Sequence, residues 1–249
     1  MIPIGDDSAP RGGTPIVNLL IIALNVAVFI LIQLPSDAFT MGFSAIPKEI
    51  LTGTDLIGPV RVALPDGSVE TIVEAQGPNP IWLTLFTSTF MHGGWAHLLG
   101  NMLFLYVFGD NVEAAFGSAM YLAFYLVVGV IASLAHVLFN PDSVIPSLGA
   151  SGAISGVLAA YLILFPQNRI RVVAFLGWYP LRYTVPAIVM IGLWALFQFL
   201  NGFASITPSE ETSGVAYMAH IGGFVAGFLF TLLLRPFVDQ GGPGYRYAA

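Results

Sequence analysis

Charge is what this chain has least of. Only 9% of its 249 residues are Asp, Glu, Lys or Arg, while 56% are hydrophobic; soluble domains carry about 25% charged residues. A water-soluble fold of this length needs more polar surface, so the class is an integral membrane protein. Cysteine is absent. That excludes a disulfide framework and a thiolate metal site, and it leaves the redox compartment open. Basic residues are scarce too: 8 Lys plus Arg, unclustered, against a net charge of −6 that sits mostly in one polar loop. This balance argues against nucleic acid as a partner. Met1 to Thr14 lacks the basic n-region of a secretory signal and the Arg/Ser richness of a transit peptide. The first apolar stretch therefore reads as a retained helix.

What is present is a series of apolar runs near the spanning length of about 20 residues. Six are expected, at about Ile16–Leu34, Trp95–Glu113, Ala119–Phe139, Gly149–Phe165, Tyr183–Leu200 and Val215–Leu234. None holds a charge deep inside it. Even spans place both termini on one side. With that side inside, the inner segments carry Arg11, Arg169, Arg171, Arg182, Arg235 and Arg246, and the outer ones only Lys48 and Arg61, so both termini are expected in the cytoplasm. The reading is an all-α polytopic bundle: a short cytoplasmic segment over 1–15, a six-helix membrane domain over 16–235, and a tail over 236–249 expected to be disordered. The long first outer loop, 35–94, has two textures. Arg61–Ala75 alternates around Pro65-Asp66-Gly67 as a small β-hairpin would. Ile81–Met91 is apolar but too short to span, and is expected in or partway into the interface.

Gly149-Ala150-Ser151-Gly152 opens the fourth run, and the sixth carries His220. Ser151 precedes the inner end of its run at Phe165 by 14 positions, and His220 precedes Leu234 by the same number. At 1.5 Å per residue each is about 21 Å from the inner boundary, hence roughly 9 Å below the outer face of a hydrocarbon core about 30 Å thick. His220, Gly223 and Gly227 share a helix face, and Gly152 and Gly156 form a second Gly-x-x-x-Gly. Small residues let membrane helices approach closely, which would bring a serine within about 3 Å of an imidazole. Serine becomes a nucleophile when a base takes its proton, and neutral imidazole is the usual base. No carboxylate lies at this depth, so the arrangement reads as a dyad. Acyl transfer also needs oxyanion donors. His97 and Asn101, four apart on the second run, suit that role, with the backbone N–H of Ser151 as a further candidate.

Five motifs now stand in order: Phe90-Met91-His92; His97-Leu98-Leu99-Gly100-Asn101; Gly109-x-x-x-Glu113; Gly149-Ala150-Ser151-Gly152; and Ala219-His220-Ile221-Gly222-Gly223-x-x-x-Gly227. Together they resemble the rhomboid family of intramembrane serine proteases over about Trp82 to Leu234. The resemblance implies Ser151 as nucleophile and His220 as general base. It implies His97, Asn101 and the backbone of Ser151 and Gly152 on the oxyanion side, with His92, Gly149, Glu113, Gly223 and Gly227 in support. It implies membrane-anchored substrates cut in or near a transmembrane segment, a lipid-embedded first loop, no cofactor and no metal. The matching location is a prokaryotic inner membrane with the site open to the outer side. Two positions depart from the family pattern. Leu83-Thr84 stand where many members carry Trp-Arg, with Trp82 one position early, and Ser155 stands where some carry an aromatic stacked on the base.

Each feature also has a plainer reading. Gly-Ala-Ser-Gly alone is ordinary close packing. An intramembrane histidine serves proton relay or a packed hydrogen bond as readily as base catalysis, and His97 with Asn101 could simply hold helices together. His136 reads as structural. Metalloprotease spacing, His-Glu-x-x-His, is absent, and the spans hold no aspartate pair at the depth of the histidines. The competing function is a non-catalytic rhomboid-like protein that escorts transmembrane clients. The fifth run, with Trp194, Phe197 and Gln198, and the loop Asn201–Gly214 are the candidates for a moving gate and cap.

Overall fold

A computed structural model describes residues 2–7, 14–63, 68–204 and 216–238. Its helices are α1 (Ile16–Val28, continued by a π-turn over Phe29–Gln33), α2 (Asp37–Phe43), α3 (Pro47–Thr52), α4 (Thr84–Thr87), α5 (Trp95–Phe116), α6 (Ser118–Phe139), α7 (Ser151–Leu164), α8 (Ala187–Ala204) and α9 (Tyr217–Leu234). Its strands are β1 (Ile2–Asp6), β2 (Gly58–Ala63), β3 (Val69–Glu74), β4 (Arg169–Leu176) and β5 (Tyr179–Pro186). Among the described residues, three helical segments are long and apolar enough to cross a membrane: Ile16–Gln33, Ser118–Phe139 and Tyr217–Phe237.

The centre is α7. Every residue from Gly152 to Tyr161 is buried, as expected of a helix that is apolar all round and enclosed by others. Glycine sets the closeness of its packing against α9. A Cβ on Gly223 would lie 2.0 Å from the Gly152 carbonyl oxygen, and one on Gly227 only 2.4 Å from Gly156 Cα. The third helix of the core, α6, closes in the same way: a Cβ on Gly222 would meet Ala135 Cβ at 2.3 Å. With 14 residues against 22 in α6, α7 is about 12 Å shorter at 1.5 Å per residue. The difference leaves room at the Ser151 end.

Glu113 explains its own presence in an apolar bundle. Its carboxylate accepts from Val17 N–H (3.1 Å), Asn18 N–H (2.7 Å) and Ser118 Oγ (2.6 Å). It thus caps the start of α1, where the first N–H groups lack helical partners and the helix dipole favours negative charge.

Between α1 and α5, Ser36 caps α2 by accepting from Phe39 N–H at 3.2 Å, and β2 pairs antiparallel with β3 from Gly58↔Glu74 to Ala63↔Val69. The sequence Pro65-Asp66-Gly67 lies outside the described residues. Ile81–Phe90 forms short helical turns around α4 with Thr84, Ser88 and Thr89 buried. Thr87 Oγ1 donates to the Phe43 carbonyl at 2.8 Å and ties this segment to α2.

Two expectations need correction. The chain is mostly helical but not all-α, because β1, β4 and β5 form an antiparallel sheet at the end of the bundle remote from Ser151. The fifth helix starts at Ala187, whereas Tyr183–Pro186 belongs to β5. Tyr183, Thr184 and Val185 favour a strand, and Gly177, at φ +61°, turns the chain between β4 and β5. Hydropathy alone runs this apolar strand into the helix behind it. The tail over 239–249 and most of the expected cap, 205–214, lie outside the described residues.

Candidate active site

Ser151 is the first residue of α7, and His220 lies one turn into α9. The close glycine contact between the two helices brings Ser151 Oγ to 2.8 Å from His220 Nε2. The other imidazole nitrogen, Nδ1, is 2.7 Å from Gln198 Oε1 on α8. An amide oxygen only accepts, so Nδ1 carries the proton and Nε2 presents its lone pair to the serine hydroxyl. Trp194, one turn before Gln198, places its ring 6.0 Å from the imidazole at an interplanar angle of 39°. Ser155 does not touch the base; its hydroxyl donates to the Ser151 carbonyl at 2.6 Å. Gln198 and Trp194 of α8 therefore hold the ring, while Ser155 holds the first turn of α7. Gln198 stood in the sequence as a gate residue, and nothing in its spacing announced a bond to His220.

Gly149 shapes the wall opposite. Its φ of +133° is a conformation that L side chains rarely adopt, and a Cβ there would lie 2.8 Å from both Cε1 and Nε2 of His97. Its N–H donates to the Ser88 carbonyl at 2.9 Å, fixing the turn to the segment around α4. His97 Nδ1 accepts from Gly93 N–H at 3.3 Å, so the ring proton sits on Nε2, the atom that lies against Gly149. Asn101, one turn further along α5, is buried, and its Nδ2 has no partner among the described residues. A buried amide donor is costly unless something accepts from it. The first intrahelical bond of α7 runs from Ile154 N–H to the Ala150 carbonyl, and no side chain caps the helix. The N–H groups of Ser151 and Gly152 thus precede the helical ladder.

The more distant residues sort by contact. His92 is fully buried with its ring 5.2 Å from that of His97, nearly edge to face. Its hydrogen bonds are made by its backbone: Gln33 Oε1 accepts from its N–H at 2.9 Å, and Gln33 Nε2 donates to its carbonyl at 3.0 Å. Both ring nitrogens are without a partner among the described residues. Gln33, on the terminal π-turn of α1, is a positioning residue that no motif or spacing marks. His136 packs against Asn140 at the end of α6 (3.3 Å). Glu113 lies at the far end of α5, where it caps α1. A cavity of about 20 Å³ bordered by Ser151, Gly152, Ser147 and Ser133 abuts the serine, enough for about one water. Among the described residues no three His, Asp or Glu side chains gather as a metal-ligand set.

A hydroxyl bonded to an imidazole, with the His97 ring against the adjoining Gly149 turn, is an arrangement that can carry serine acyl transfer. The family model for the Rhomboid domain matches residues 79–237, and the chain belongs to the rhomboid family. It is 32% identical over 218 residues to the rhomboid protease GluP of Bacillus subtilis, covering 88% of this chain and 34% of that one. It is 32% identical to RHOMBOID-like protein 5 of Arabidopsis thaliana, covering 82% of this chain and 59% of the other. Rhomboid protein 1, mitochondrial, of Saccharomyces cerevisiae is 28% identical over 64% of this chain and 43% of its own. The chain thus spans between about a third and three fifths of these relatives.

Proposed function

We propose that the protein is an intramembrane serine endopeptidase that cleaves membrane-anchored proteins in or near a transmembrane segment with a Ser151–His220 dyad. The observation that carries this reading is the 2.8 Å contact between Ser151 Oγ and His220 Nε2, with Nδ1 tied to an acceptor. Ser151 Oγ attacks the scissile carbonyl carbon while its proton passes to Nε2. The imidazolium that forms is steadied by its Nδ1–H bond to Gln198. His97 Nε2–H, Asn101 Nδ2 and the N–H groups of Ser151 and Gly152 receive the oxyanion. Collapse of the tetrahedral intermediate breaks the C–N bond, and Nε2–H gives its proton to the leaving amine. A water from the adjoining cavity then attacks the acyl-serine, with His220 again as base, and frees the new carboxylate and Ser151.

In this account six helices (α1, α5, α6, α7, α8 and α9) span the bilayer with both termini in the cytoplasm. The site opens to the outer side of a cell membrane, and β2–β3 is a hairpin of the outer loop. The substrate enters sideways from lipid past α8, and its backbone is extended when cut, so helix-breaking Gly or Pro in the substrate promotes cleavage. The test is cleavage of a transmembrane reporter by the purified protein in proteoliposomes. Wild type produces cleaved reporter, whereas Ser151→Ala and His220→Ala do not. Equal cleavage by either variant would remove the dyad from the mechanism.

A further inference from the structure

The β4–β5 hairpin has no role in the chemistry above, and its surface is unusual. Register pairs Ile170↔Val185, Val172↔Tyr183, Ala174↔Leu181 and Leu176↔Tyr179 on one face, because directly opposed residues point the same way. That face is apolar from end to end. At its base Ile170 and Val172 are part of the hydrophobic core. Leu176, six residues and about 20 Å further out, is 73% exposed, and Trp178 at the tip is fully exposed. The other face carries Arg169, Arg171 and Arg182 toward the base and middle, and turns apolar toward the tip with Phe175 and Pro180. Arg169 donates to Thr184 at 3.3 Å, and Arg171 stands 4.0 Å from Asp7, both side chains about half exposed.

The hairpin leaves the bundle at its polar boundary. Arg169 follows the end of α7 by a few residues, and Arg235 follows α9 directly. An element with one apolar face, three arginines on the inner part of the other and an apolar tip bearing Phe175 and Trp178 matches the headgroup–acyl boundary of a bilayer, where indole and phenol rings concentrate and arginine meets phosphate.

We propose that the β4–β5 hairpin is an interfacial anchor that docks onto anionic lipid in the leaflet remote from Ser151, with Trp178 and the apolar face in the acyl boundary and the arginines on lipid phosphates. The anchor also reaches the site. β5 passes into α8 with no intervening loop. The joint is fixed by bonds from Ala187 N–H to the Asn168 carbonyl (2.8 Å) and from Ile188 N–H to the Pro166 carbonyl (3.1 Å). Three turns later the same helix holds His220 through Gln198. The depth of the hairpin therefore biases the tilt of the helix that steadies the base.

The absence of cysteine makes the test clean. A bimane probe on Leu176→Cys is read in full-length protein reconstituted in phosphatidylcholine, with and without phosphatidylglycerol, using doxyl-labelled lipids as quenchers. Shallow-labelled lipid is expected to quench more than deep-labelled lipid, and phosphatidylglycerol to strengthen the quenching. In the same labelled background, Arg182→Gln lowers the preference for anionic lipid by roughly fivefold, from the cost of one basic side chain at a charged surface. In unlabelled protein, reporter cleavage rises with phosphatidylglycerol, and Arg182→Gln flattens the rise. A water-exposed probe with no lipid quenching overturns the proposal. So does quenching indifferent to lipid charge, or a pyrene excimer from the same cysteine, which would mean that a second copy covers the face. The fluorescence arm does not depend on turnover, so it stands or falls apart from the protease reading.

Discussion

Gln198 offers the sharpest perturbation of the site. Its Oε1 is the acceptor for His220 Nδ1–H, and the imidazole is enclosed between α7, α8 and α9. Gln198→Leu keeps the approximate volume and removes the acceptor. A buried donor left unpaired costs about 1–3 kcal/mol. Here that cost is largest when the ring carries its second proton in the transition state, so it falls on kcat. At 1.4 kcal/mol per decade the expected loss is roughly 5- to 150-fold. Gln198→Glu restores an acceptor in the same place and is expected to keep more activity than Gln198→Leu. Because α8 also lies on the proposed substrate route, a gating defect must be told apart from a base defect. The assay is steady-state cleavage of a fluorogenic transmembrane reporter in proteoliposomes, with kcat and KM resolved. A fall in kcat at near-constant KM supports the assignment. Unchanged kcat in Gln198→Leu, or a change confined to KM, would refute the positioning role.

Other sites give further expectations. Gly223→Ala forces a methyl within 2.0 Å of the Gly152 carbonyl. It should separate α7 from α9, lower thermal stability by about 1–3 kcal/mol or more, and reduce activity with it; an unchanged melting temperature in detergent would contradict the close packing. Glu113→Ala strips three hydrogen bonds from the start of α1 and from Ser118. A loss of about 3 kcal/mol is expected, read as earlier thermal unfolding, with fluorophosphonate reactivity retained in the fraction that stays folded. In the first loop, burial is the main force pushing Glu49 up to about 7, opposed by its bond to Leu56 N–H and aided by Asp55. Burial and then the charge of Glu49 push Glu74 up to about 7. Raised folded-state values mean that this pair's contribution to stability is complete below about pH 4.5 and is lost as pH rises through about 7. Glu74→Gln, which cannot ionise, is therefore expected to raise the melting temperature at about pH 8 and leave it unchanged at about pH 4. An equal effect at both values would mean that Glu74 does not titrate in this range.

The pairing of Ser151 with His220 was legible because two physical regularities coincide. Helical rise fixes depth, and Gly-x-x-x-Gly fixes approach, so two polar residues at one depth on two close-packing helices have few other places to go. The position of His97 was legible for a similar reason, as a polar residue on an apolar helix, and its ring lies against Gly149. Gln198 was not. Its bond to His220 depends on how far α8 leans toward α9, and no periodicity in the chain encodes that. Gln33 is hidden in the same way, since it meets His92 across 59 residues of chain. The β1–β4–β5 sheet escaped because its last strand is apolar enough to extend a helical hydropathy run. The N-terminal strand was invisible for a different reason: Ile2–Asp6 is held by tertiary partners, β4 along its backbone and Asn111 at Asp6. Sequence patterns therefore located the Ser151–His220 contact better than the residues that pack around it.

The most direct test of the account is covalent. A fluorophosphonate reports a serine made nucleophilic by its neighbours, and peptide mapping reports which serine reacts. Wild-type protein in detergent is expected to carry one adduct, on Ser151. Ser151→Ala should carry none, and His220→Ala, correctly folded by its melting curve, should label far more slowly. An adduct on another serine, or labelling of His220→Ala at the wild-type rate, would contradict a nucleophile activated across the 2.8 Å contact between α7 and α9.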